Sequence, residues 1–186
     1  MTNRCTLQLT VLLCLTGAAL SVNYGKLRFK LRSSNSACQT LLWQLITSPQ
    51  HCLDDRMDFQ IPRQVEQPQQ FQKEEAMVVM YEMLQQIHTI FRRSFSNAGW
   101  NETIVEKLLE ELDDQMDCLE TALEEIKQEG KFPWENRTAL RLKTYYLGIL
   151  QYLKAKFYGR CAWTVVQVEI FRNVSFLNGL IGALQD

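Results

Sequence analysis

The sequence predicts an all-α fold, a five-helix bundle with a long first crossover loop, and three observations predict it. Apolar residues recur every three or four positions in five separate stretches, which is helical spacing. No stretch of useful length alternates apolar and polar residues as a half-buried strand would. The 8 Gly and 4 Pro among 186 residues are few for the many turns of an all-β protein. With 46% hydrophobic residues the chain can fill one sizeable core, and 22% charged residues is near the globular average.

Before the helices comes a leader pattern. Residues 1–21 carry one charge, Arg4, then the apolar run Leu7–Leu15, then small residues ending in Ala19-Leu20-Ser21. Charge, short apolar segment and small-x-small site read as a signal peptide, and the run is too short to span a bilayer comfortably. Cleavage there leaves residues 22–186 as a single domain in a secreted context.

The first helix is expected over about 24–46, with Leu27, Leu31, Ser34, Cys38, Leu41 and Leu45 on one stripe. Pro49, Pro62 and Pro68 then disfavour a helix across 47–70. The second runs over about 71–93, carrying Ala76, Met80, Met83, Ile87, Ile90 and Phe91, and Ser94–Gly99 breaks it. The third opens near Asn101 or Thr103, where Thr103-x-x-Glu106 fits a capping box. Its stripe is Val105, Leu108, Leu112, Met116, Leu119, Leu123 and Ile126, and Gly130-Lys131-Phe132-Pro133 ends it. The fourth covers about 137–157 with Leu142, Tyr145, Ile149, Tyr152 and Leu153. Gly159 marks a short turn into the fifth, about 161–182, with Trp163, Val166, Ile170, Val174 and Leu177 inward. A long first connection lets helices one and two run the same way, which suits an up-up-down-down order better than a simple up-down bundle.

The net charge of -1 argues against nucleic acid as a partner. No metalloprotease HExxH, phosphate loop, GxSxG or CxxC occurs, so the chain reads as no enzyme, with no metal and no cofactor. His51 precedes Cys52, but adjacent residues rarely aim at one another, so they do not read as a catalytic pair. His88 reads as a surface or interface residue, and Glu110-Glu111-x-Asp113-Asp114 as a solvated helix face lacking the glycine and spacing of a calcium loop.

Removing the leader takes Cys5 and Cys14 and leaves Cys38, Cys52, Cys118 and Cys161. Four cysteines allow three pairings, and spacing alone does not choose among them. A Cys52–Cys161 bridge would tie the long loop to the last helix, closing roughly 110 residues with about 4–5 kcal/mol of chain-entropy stabilisation. Cys38 lies on an apolar stripe and reads as a buried free thiol, while Cys118 sits at a stripe's margin. A Cys38–Cys118 bridge stays possible if those helices pack together. Three N-glycosylation sequons stand in the mature chain, at Asn101, Asn136 and Asn173. The first two fall at helix starts, and the helical wheel puts Asn173 on the shoulder of the last helix, partly shielded.

Several stretches resemble the type I interferons. They are Cys52-Leu53-Asp54-Asp55-Arg56-Met57-Asp58-Phe59-x-Ile61-Pro62, Gly99-Trp100-Asn101-Glu102-Thr103, Tyr145-Tyr146, and Tyr152-Leu153-Lys154-Ala155-Lys156 leading to Cys161-Ala162-Trp163. The likeness covers essentially the whole chain, and the Gly-Trp-Asn-Glu-Thr run and the extended helix-four sequence look like the beta branch. The resemblance implies a five-helix cytokine bundle, secreted and monomeric, without membrane insertion. It also implies an antiviral cytokine that bridges the two chains of a cell-surface receptor and drives JAK-STAT signalling. It implies the Cys52–Cys161 bridge. Cys118 matches a position that pairs with an N-terminal cysteine in the alpha type, a partner absent here.

For the high-affinity receptor chain the resemblance implies Leu53, Arg56 and Asp58 in the loop and Val168, Phe171, Arg172 and Phe176 on the last helix. The helical wheel independently turns Val168, Phe171 and Arg172 away from the stripe of Ile170 and Leu177, and outward apolar residues mark partner sites. Gln167 departs from the arginine of much of the family. For the low-affinity chain Arg92, Leu109 and Lys143 match, while His88 and Asp113 depart from the pattern. The rival to this reading is a secreted helical carrier holding an apolar ligand inside the bundle, although the Leu, Ile, Met and Tyr stripes look able to fill the core.

Overall fold

The computed structural model describes residues 22–45, 49–93, 95–133 and 136–185, so the leader at 1–21, with Cys5 and Cys14, lies outside the described residues. Among the described residues there are five α-helices and four short 3-10 segments, and no strand. The helices are α1 (Tyr24–Gln44), α2 (Lys73–Phe91), α3 (Glu102–Gln128), α4 (Arg137–Ala155) and α5 (Arg160–Gly182). None of them is long and apolar enough to cross a membrane.

Local chemistry sets the ends. Asn23, Asn101 and Asn136 each begin a helix by accepting a backbone N–H through Oδ1, from Lys26, Thr103 and Ala139 respectively. α3 therefore starts two residues earlier than a Thr103–Glu106 capping box would have it, with Asn101 as the cap. At the far end of α3, Gly130 takes φ 72° and Lys131 N–H reaches back to the Ile126 carbonyl.

Gly159 is not the residue that makes the turn between α4 and α5. Its φ is -64°, and the left-handed residues are Phe157 and Tyr158, at 54° and 53°. Tyr158 N–H is held by the Leu153 carbonyl at 2.8 Å, and its ring lies 6.3 Å from that of Trp163. That bond closes the end of α4, and it gives two aromatic residues a backbone shape that usually belongs to glycine.

Side-chain pairs fix the helix directions. The start of α1, at Val22 and Lys26, shares a groove with Ala122 and Glu125 near the end of α3, and Thr40 near its end lies by Lys107. Asn35 Nδ2 donates to the Val174 carbonyl and Asn178, and Gln167 Nε2 donates to the Leu42 carbonyl. So α1 opposes both α3 and α5. His88 of α2 meets Asp113 of α3, and Tyr81 lies near Asp117 and Glu120, so α2 opposes α3 as well. The crossover from 45 to 72 consequently carries the chain back along the bundle.

The core is continuous along its length, from Leu31, Cys38 and Leu42 of α1 through Met80, Ile87, Leu112 and Ile149 to Trp163, Ile170 and Leu177. One end is closed by aromatic rings. Trp100 packs 5.6 Å from Phe91 and 5.2 Å from Trp163. That is the structural use of the Gly99-Trp100 pair, with Gly99 in the left-handed region at φ 73°.

Cys38 is a fully buried thiol in this core, receiving Gln115 Nε2 at 3.4 Å. Burial, reinforced by nearby Glu111, pushes it up to about 12, so it carries no thiolate at neutral pH. Cys118 is also free, half-buried beside a groove between α1 and α3, and no Cys38–Cys118 bridge forms. Gln115, not Cys118, is the α3 side chain that faces Cys38.

Candidate functional site

The crossover is pinned at both ends and in its middle. Cys52, where the 3-10 segment Pro49–Asp55 kinks, is bonded to Cys161 in the first turn of α5, with Cα atoms 5.1 Å apart. Tyr152 of α4 donates to the Asp55 carbonyl at 2.6 Å, and Lys156 Nζ pairs with Asp55 Oδ1 at 2.7 Å. Phe59 turns inward, edge-on to Tyr152 at 5.4 Å, and its carbonyl accepts from Arg172 Nη2 of α5 at 3.0 Å. Ile61 and Val65 continue into the core. At the far end Pro68 lies so close to α5 that a Cβ on Gly179 would stand 2.7 Å from Pro68 Cγ, which makes glycine obligatory there.

This seating leaves a groove of about 370 Å³ between crossover and α5. Leu53, Arg56, Met57 and Asp58 line one side, and Val168 and Arg172 the other. Leu53 is 67% and Val168 48% exposed, so apolar side chains face water on both banks. Arg56 is exposed between them, and Asp58 accepts from Gln60 at 2.8 Å.

Of the seven residues singled out for the first face, Leu53, Arg56, Asp58, Val168 and Arg172 line this one groove. Phe171 and Phe176 are half-buried elsewhere on α5: Phe171 packs on the exposed Trp43 of α1 at 6.1 Å, and the Phe176 ring lies 6.0 Å from the Arg172 guanidinium. Arg172 is less free than a helical wheel suggests, because Nη2 also binds Glu169 Oε1 at 2.8 Å.

One expectation on α5 is corrected. Asn173 is not on a shoulder: it is fully buried, and its Nδ2 donates to the Tyr145 hydroxyl at 2.9 Å. A glycan on that nitrogen would have to displace α4, so Asn173 is a core residue and not a surface sequon. Gln167 is fully buried as well, donating to the Leu42 carbonyl at 2.8 Å, so it holds α5 to α1 and presents nothing outward. Asn101 is exposed and Asn136 half-buried, each with its Oδ1 occupied as a helix cap.

The second set of residues is spread over three helices. Arg92 is exposed at the end of α2, Leu109 is half-buried on α3, and Lys143 is exposed on α4. Lys143 Nζ lies 3.4 Å from Glu82 Oε2, a buried carboxylate of α2 that also accepts from Gln86. His88 and Asp113 meet each other, Nε2 to Oδ1 at 3.1 Å, joining α2 to α3. The acidic patch of α3 is thus not wholly a solvated face, and His88 links two helices within the molecule.

Periodicity placed Tyr145 and Tyr152 on the α4 stripe but could not give their partners in α5 and the crossover, and it did not single out Glu169 or Gly179 at all.

The family model of the interferon alpha/beta domain matches residues 27–184. Over all 186 residues of both chains, the sequence is 59% identical to interferon beta of Equus caballus and 54% to interferon beta-2 of Bos taurus. It is 52% identical to interferon beta of Homo sapiens over the full length of both chains.

Proposed function

The chain belongs to the type I interferons, most like the beta branch, and from that membership we propose how this cytokine engages its partners. The family consists of cytokines rather than enzymes, and an apolar-ligand carrier is not favoured. In our reading residues 1–21 are removed as a signal peptide, and residues 22–186 leave the cell as a single domain, glycosylated at Asn101 and Asn136. The secreted monomer binds the high-affinity receptor chain through Leu53, Arg56, Asp58, Val168, Phe171, Arg172 and Phe176. It binds the low-affinity chain through Arg92, Leu109 and Lys143. Bringing the two chains together activates their kinases, and JAK-STAT signalling raises antiviral gene expression.

The observation that carries this reading is the groove between crossover and α5, where exposed Leu53 and Val168 flank Arg56. An exposed guanidinium framed by apolar side chains has the composition of a binding hot spot, able to reach two acceptors at once. A titration of the purified protein against each receptor ectodomain tests it. Arg56→Ala should weaken only the high-affinity chain, and unchanged binding would remove the groove from the interface.

A further inference from the structure

Arg172 holds the crossover with both protons of a single nitrogen. Nη2 donates one to the Phe59 carbonyl at 3.0 Å and one to Glu169 Oε1 at 2.8 Å. A guanidinium turns freely about its stem unless its acceptors are fixed, so what fixes Glu169 decides where Arg172 points. Glu169 is 8% exposed, and its Oε1 also receives the Tyr145 hydroxyl of α4. Tyr145 in turn accepts from Asn173 Nδ2 at 2.9 Å. The row runs from Asn173 to Tyr145, from Tyr145 to Glu169, and from Arg172 to Glu169 and Phe59, with Asn173 Oδ1 at 3.2 Å as a second acceptor for the Tyr145 hydroxyl. Burial, then the bond to Glu169, raises the Tyr145 phenol well above its ordinary range, so it remains a donor throughout the neutral region.

We propose that Tyr145, Glu169 and Asn173 form a buried clamp that positions Arg172 on the Phe59 carbonyl, and so sets the shape of the groove that binds the high-affinity receptor chain. This rests on the reading that the groove is that interface. Tyr145 and Asn173 lie outside the groove, Tyr145 on a helix that supplies none of its walls, while Glu169 is itself among the groove's lining residues. The clamp supplies preorganisation: with Arg172 seated, residues 56–61 need not be ordered at the moment of binding, and that cost is removed from the association. Without the Tyr145 hydroxyl, Glu169 loses one of its two donors while still buried. It can then swing toward water and release Arg172.

The test uses full-length secreted protein carrying Tyr145→Phe, with Glu169→Gln as a second variant that keeps the shape and drops the charge. Each is titrated against both receptor ectodomains, with Arg56→Ala alongside, and amide hydrogen exchange is followed along the chain. The expected result is a roughly tenfold loss for the high-affinity chain, less than twofold for the other, and faster exchange confined to residues 56–61. Glu169→Gln should show the same pattern if Tyr145→Phe fails to fold. Unchanged binding by both variants, with Arg56→Ala weakened, would overturn the clamp alone. Equal losses for both receptor chains with faster exchange everywhere would also overturn it, since that is general destabilisation. Should Arg56→Ala bind normally too, the interface reading falls with it.

Discussion

The crossover–α5 face and the α2–α3–α4 face are built by opposite means. The second is carried on helices, whose backbone hydrogen bonds already fix where each side chain emerges, and whose shared core is supplemented by the pairs Lys143–Glu82 and His88–Asp113. The first is half loop, and a loop has no such internal order. It is accordingly tied at Cys52, Asp55, Phe59 and Pro68, by a disulfide, hydrogen bonds, an ion pair and a glycine-dependent close contact. The difference teaches that a binding face on irregular chain needs support from residues that never touch the partner. The same contrast says where substitutions will matter.

The largest expected effect comes from cutting the strongest tie. Replacing Cys52 and Cys161 by serine should lower unfolding free energy by about 4–5 kcal/mol in denaturant titrations. It should weaken the high-affinity receptor chain while sparing the other, and an equal loss on both faces would break the comparison. Next, Arg56→Ala should cost about 2 kcal/mol in binding, roughly thirtyfold in Kd by surface plasmon resonance. Lys143→Ala on the helical face should cost under about 1 kcal/mol toward its own chain, because its pair with Glu82 is largely solvated on the lysine side.

A pH effect comes from the shared core and not from either face. Burial raises Cys38 from its ordinary value of 9.0 to about 12 and lifts Tyr145 and Tyr146 well above 10.0. Above those ordinary values the unfolded chain releases these protons while the folded chain keeps them. Stability is therefore full below about pH 9 and falls as pH rises, each such group adding a slope of about 1.4 kcal/mol per pH unit. Urea midpoints between pH 8 and 11 measure it, and a flat profile would contradict this burial. Smallest of all, Ser175→Ala removes the third sequon without changing the glycan mass of the secreted protein, because Asn173 is core. A lighter product would mean that α4 and α5 open during maturation.

The helices were legible because each buries one stripe, and because an Asn cap or a glycine marks several of their ends. The turn at Phe157 and Tyr158 was not, since no propensity of those residues asks for a left-handed backbone. The bond from Tyr158 N–H back to the Leu153 carbonyl closes α4 there, and the Tyr158 ring packs on Trp163. In the groove, Leu53, Arg56 and Val168 emerge together, as outward residues should. Asn173 misled for the complementary reason: a wheel gives the angle about one helix but not which neighbour covers that angle, and here it is Tyr145. Gln167 hides in the same way behind Leu42.

The asparagine caps of α3 and α4 have a practical consequence. An amide side chain has two ends, and at Asn101 and Asn136 the oxygen is spent on the helix while carbohydrate would be joined to the nitrogen. The usual way to make an unglycosylated variant, exchanging the asparagine for glutamine, would therefore remove sugar and cap together, and up to about 1 kcal/mol of lost helix stability would be credited to the sugar. At the first sequon the exposed Thr103 offers a cleaner cut, because Thr103→Ala deletes the recognition triplet and leaves the cap in place. At the second, Thr138 is itself 8% exposed and helps fill the interior, so no single exchange there isolates the carbohydrate from the fold.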